Sequence, residues 1–168
     1  HYVRMKTPSF KLHEVLESPH SPLVRSEALM REHVGALTPE AEDALRDRLR
    51  ILRAVFKSAA QNYLAPLAHI PTPMTPEAEN QFIDLVSTAI DYIDQLTRRY
   101  RALFPQLIAA RATPDLLRAF RLTDESISIL IEDLLLRVHQ IAHAWLSPPL
   151  LAKWQAALVA RVRVVIED

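Results

Sequence analysis

Apolar residues recur at alternating spacings of four and three along three stretches of the chain. Leu45, Leu49, Leu52, Phe56, Ala59 and Tyr63 form one run. Phe82, Val86, Ala89, Ile93, Leu96, Tyr100, Leu103 and Leu107 form a second, and Ile127, Ile131, Leu134, Val138, Ile141 and Trp145 a third. That period stacks side chains on one face of an α-helix, so each run predicts a long amphipathic helix. A last seam is marked by Leu151, Trp154, Leu158, Val162 and Val165.

The helix starts are written in proline. Ser21-Pro22, Thr38-Pro39, Thr75-Pro76, Thr113-Pro114 and Ser147-Pro148 each put a hydroxyl residue at the N-cap and proline at the first helical position, where its missing N–H costs nothing. Thr123-Asp124-Glu125 predicts a further start, with acids near the positive end of the helix dipole. On this reading a short helix runs from Pro114 to Arg121 and a separate long one from Asp124 to Leu146. Gly35 is expected to close the helix that starts at Ser21, Pro66 to bend or end the next, and Pro105 to kink the third. The fold class that follows is all-α, an up-and-down bundle of about five or six long antiparallel helices. Residues 1–20 read as an N-terminal segment in which Phe10, Leu12, Val15 and Leu16 predict a short helix, and residues 21–168 as the bundle. The openings Thr38-Pro39-Glu40-Ala41-Glu42 and Thr75-Pro76-Glu77-Ala78-Glu79 are near copies; with unlike helix interiors behind them, they read as shared capping chemistry rather than as a repeat array.

Composition narrows the function classes. Lys plus Arg and Asp plus Glu both number 20, so no net positive field draws the chain to phosphate backbones, and nucleic acid is not expected as a partner. Cysteine is absent, which removes thiolate metal sites and nucleophiles and fits a cytoplasmic protein. No stretch reaches the roughly 20 apolar residues of a membrane span. The non-methionine start, its basic residues Arg4 and Lys6, and a close on Val164 to Asp168 without a stop signal point to a segment of a longer protein, a cytoplasmic domain of a membrane protein being one version.

His139 and His143 lie four apart on a predicted helix, with Glu132 within about 20° of both, a geometry that can chelate a metal if another helix supplies a ligand. Gln140 stands where a zinc protease places its glutamate, and no further ligand can be named, so neither metal nor cofactor is expected. Arg137 and His143 give an Arg-x5-His spacing that resembles the motif of HEPN ribonuclease domains, themselves helical bundles. The resemblance covers these two residues and implies an RNA-cleaving pair; on an unbroken helix, six residues set the two side chains about 120° apart. Arg46, Arg48, Arg50, Arg53 and Arg98, Arg99, Arg101 interleave with Asp43, Asp47, Asp91 and Asp94 and lack an aromatic stripe, which reads as a solvated face of ion pairs.

What remains is a surface. Taking Glu132 as reference, Leu136, His139 and His143 fall within about 40° of it and Ile129 within about 60°, while Leu134 and Val138 point roughly the other way. Ile129, Glu132, Leu136, His139 and His143 therefore form a candidate face; the helix that starts at Ser21 or the N-terminal segment, whose Phe10, Leu12, Val15 and Leu16 need somewhere to pack, is expected to cover it, the alternative being a protein partner or second copy. The expected function is non-enzymatic: protein interaction, scaffolding or regulation.

Overall fold

The computed structural model describes residues 9–71 and 73–156, and every element among them is helical. In chain order these are α1 (Leu12–Glu17), α2 (Pro22–Glu32), α3 (Pro39–Leu64), a 3₁₀ turn (Ala65–His69), α4 (Pro76–Arg101), α5 (Leu103–Ala109) and α6 (Pro114–Trp145). Residues 148–156 are again helical. The basic start at Arg4 and Lys6 and the seam residues Leu158, Val162 and Val165 lie outside the described residues.

α3, α4 and α6 form the frame. Glu42 near the start of α3 meets Thr113 at the start of α6, so these two helices run parallel. Tyr100 and Arg101 at the end of α4 meet Phe120 and Asp124 early in α6, and Glu79 at the start of α4 meets Ser147 just past its end, so α4 runs the other way. The seam positions read from sequence carry the core: Leu45, Leu49, Leu52, Phe56, Phe82, Val86, Ile93, Leu96, Tyr100, Ile127, Ile131, Leu134 and Val138 are all buried in one cluster. Trp154 closes one end of that cluster with its ring 5.7 Å from that of Phe82. Trp145 departs from the expected seam: α6 stops there, and Leu146 takes the buried place while the indole stays 42% exposed.

α1 forms where the sequence placed a short helix and buries Leu12, Val15 and Leu16 against α3 and α4 rather than against α6. Arg99 fixes this corner, donating to the carbonyl of Leu16 at 2.7 Å and pairing with both carboxylate oxygens of Glu27 on α2.

Proline and threonine set the boundaries. Thr38, Thr75 and Thr113 accept hydrogen bonds from the amides of Ala41, Ala78 and Leu116 at 3.1, 3.1 and 3.4 Å. Ser21 occupies the same position before proline, but its buried hydroxyl donates back to the Val15 carbonyl at the end of α1, so it caps nothing. The break between α4 and α5 falls at Ala102: Pro105 has no N–H for the Arg101 carbonyl and crowds it, which ends α4 one turn before the proline. α2 stops at Glu32 with His33 as its C-cap, and Gly35, at φ +103°, turns the chain just beyond it.

The near-copied openings of α3 and α4 have a structural reason. Glu42 and Glu79, each four residues after a capping threonine, are both buried, and each accepts a hydrogen bond from the N-cap hydroxyl of a distant helix. Thr113 donates to Glu42, and Ser147 donates to Glu79 at 3.2 Å. The helix N-terminus stabilises each carboxylate, and each carboxylate holds the start of another helix.

Candidate partner-binding face on α6

α6 is one helix of 32 residues, not two. Thr123-Asp124-Glu125 has the chemistry of a start, yet nothing before it stops a helix: Arg121 and Leu122 are good helix formers and no glycine or proline intervenes. Contacts from α4 then hold the stretch in place. The Asp124 carboxylate accepts from Arg101 Nε at 3.1 Å, and the Phe120 carbonyl accepts from the Tyr100 hydroxyl at 2.8 Å, beneath a stacked Tyr100–Phe120 pair.

Continuity lengthens the outer face. Leu116, Phe120, Ile127, Ile131, Leu134, Val138 and Ala142 are buried on the inner side. On the outer side Leu122, Ile129 and Leu136, seven residues apart, are 58%, 61% and 55% exposed. Of the five residues expected to form the face, Ile129, Glu132, Leu136 and His143 are exposed together on this side, and His139 is half-buried. Leu122 belongs with them: the start expected at Thr123 puts it before the helix, whereas the repeat of seven through Leu122, Ile129 and Leu136 points to it. Neither α1 nor α2 covers the line, since α1 lies on α3 and α4 and α2 on α3 and α5.

Charge along the face is uneven. Asp115, Asp124 and Asp133 are paired with Arg118, Arg101 and Arg137. Glu125 and Glu132, three residues after Leu122 and Ile129, are exposed and have no ion pair among the described residues.

The two histidines stand with ring centroids 6.2 Å apart, nearly edge to face. His139 Nδ1 is buried and meets no hydrogen-bond partner among the described residues. No three His, Asp or Glu side chains of the described residues come together in metal-binding geometry, so Glu132 does not complete a site with them. The Arg137–His143 pair does not form a site either: α6 is unbroken between them, which points them about 120° apart, and Arg137 pairs with Asp133 at 3.1 Å.

Comparison with known protein families, curated proteins and solved structures gives no match for this chain. Function therefore has to be read from geometry.

Six of the seven clustered arginines are spent within the molecule, Arg53 being exposed. Arg46 and Arg50 pair with Asp43 and Asp47, Arg48 donates to the Arg25 carbonyl, Arg98 pairs with Asp94, and Arg99 and Arg101 bind Glu27 and Asp124. A cleft of about 630 Å³ opens where α1 crosses the end of α3, lined by Phe10, Leu12, Tyr63, Pro66 and Leu85, with Lys11, His13 and Asn62 exposed at its rim. No helix among the described residues is long and apolar enough to cross a membrane.

Proposed function

We propose that this bundle is a non-enzymatic protein-interaction module of the scaffolding or regulatory kind, and that the outer face of α6 is its contact surface. The observation that carries this reading is the line Leu122, Ile129 and Leu136, each more than half exposed on a helix whose opposite side is fully packed. A bundle helix with nothing to contact is polar on its far side. Three large aliphatic residues in register there cost solubility, and burying the exposed half of each against a partner contributes about 1 to 2 kcal/mol.

The test compares the protein with an Ile129→Asp/Leu136→Asp variant in recovery of stable complexes from its native source, with Asp47→Lys on α3 as a surface control. The reading expects a defined complex that the double variant loses and the control keeps, with unfolding midpoints of all three unchanged. A complex set indifferent to Ile129 and Leu136 would overturn it.

A further inference from the structure

The spacing of the exposed residues constrains what can lie on them. Leu122, Ile129 and Leu136 are seven apart, so they drift only about 20° per step around α6 and stand about 10.5 Å apart along it. A second helix with an apolar seam repeating every 3.5 residues meets such a line at each step. An extended strand does not, because its same-face side chains repeat at about 6.6 to 6.8 Å.

Charge then selects among helices. One edge of the line carries Glu125 and Glu132, exposed and without an ion pair among the described residues, one turn beyond Arg121, whose guanidinium lies over the Phe104 ring, whereas the other acids of α6 already hold arginines. A second copy of this chain does not satisfy them. In the antiparallel register that pairs all three apolar residues, centred on Ile129, Glu125 falls beside the second copy's own Glu132; in the parallel register it falls on the edge holding Ser126 and Asp133. Both arrangements leave the glutamates facing acids or neutral groups.

We infer that the partner presents a basic amphipathic helix: apolar residues in heptad register to cover Leu122, Ile129 and Leu136, flanked on one side by Lys or Arg that pair with Glu125 and Glu132. This rests on the reading of the α6 face as a contact surface and adds to it the chemistry of the occupant. The apolar line supplies most of the affinity, and the glutamates supply direction and choice of partner.

Two synthetic helical peptides of about four heptads test it. They share their leucines and isoleucines and differ in having lysine or glutamate on the flanks. Fluorescence anisotropy against the intact protein should show the lysine peptide binding and the glutamate peptide binding about tenfold more weakly, from two lost surface pairs and the repulsion of like charges in their place. Added salt should narrow the gap. Glu125→Lys/Glu132→Lys should reverse the order of the two peptides, and Ile129→Asp should abolish binding of both. Equal binding, binding of neither, or self-association that Ile129→Asp removes would overturn the inference. If the native complex nonetheless depends on Ile129 and Leu136, the contact-surface reading survives that result; if it does not, both fall.

Discussion

Thr38, Thr75 and Thr113 look interchangeable in sequence, each an N-cap before proline, so their replacement by alanine ought to cost the same. The structure says otherwise. Each forms a cap bond, worth about 1 kcal/mol when removed, and that of Thr113 is the longest at 3.4 Å. By cap geometry alone Thr113 is the least important of the three. It also donates to the buried carboxylate of Glu42, which Thr38 and Thr75 have no counterpart for among the described contacts. A hydrogen bond to a charged group contributes about 1.5 to 3 kcal/mol, and its loss leaves that oxygen only the Arg46 guanidinium, 3.7 Å away. Thr113→Ala should therefore cost about 2.5 to 4 kcal/mol, against about 1 for Thr38→Ala or Thr75→Ala, while Thr113→Ser, keeping the hydroxyl, should cost well under half of the alanine value. Urea unfolding followed by circular dichroism gives each figure from the shift in midpoint at constant slope. A double-mutant cycle with Glu42→Gln isolates the pair, with an expected coupling of about 1 to 2 kcal/mol. Equal costs at the three threonines, or a coupling below about 0.3 kcal/mol, would refute the idea that Glu42 holds the start of α6.

Arg111 adopts φ 57° as the left-handed residue ending α5, with its amide bonded to Ile108 and that of Ala112 to Leu107; Arg111→Gly should raise stability by about 0.5 to 1 kcal/mol in the same assay, and a loss would contradict this account. Burial, with Asp124 nearby, raises the Tyr100 phenol far above its ordinary value of about 10. A raised folded value means that stability is intact below the unfolded value and falls as pH climbs past it, by about 1.4 kcal/mol per pH unit while the folded phenol keeps its proton. Tyr100→Phe, missing one hydrogen bond, should then be the less stable protein at about pH 8 and lose that disadvantage by about pH 11; a gap independent of pH would refute it. Phe56→Ala, Ile93→Ala and Leu134→Ala should each cost about 2 to 5 kcal/mol, and a cost under about 1 kcal/mol at any of them would show that the seam is misread there. RNA incubated with the protein should show no cleavage that both Arg137→Ala and His143→Ala abolish, as their divergence on an unbroken α6 requires; equal loss in both variants would reverse this.

The frame was legible because its signals are local and periodic. Leu45 to Ala59 in α3 and Phe82 to Tyr100 in α4 are buried wherever the four-three spacing put them, since a bundle core asks little more of a helix than one continuous apolar side. What escaped was set by tertiary contact. Thr123-Asp124 carries a start signal that loses to Arg101 and Tyr100 of α4, which claim the neighbouring acceptors, and α6 runs through it. The stop at Arg111 was invisible because the residue is not glycine. The shared Glu of the two Thr-Pro openings was visible as a pattern, but its partners lie about 70 residues away, at Thr113 and Ser147, and spacing along the chain cannot show such distant pairs. For the face on α6, sequence located Ile129, Glu132, Leu136 and His143 and lost Leu122 through the same misplaced boundary.

The unbroken course of α6 has a mechanical consequence. With no glycine or proline between Asp115 and Trp145, the helix has no point of weakness at which to kink, so it behaves as a strut about 48 Å long rather than as two hinged arms. One end is tethered through Thr113 to α3, and the turn beyond the other is tethered through Ser147 to α4. A load applied anywhere along its outer side is therefore spread along the packed seam beneath it and shared between α3 and α4, which run in opposite directions.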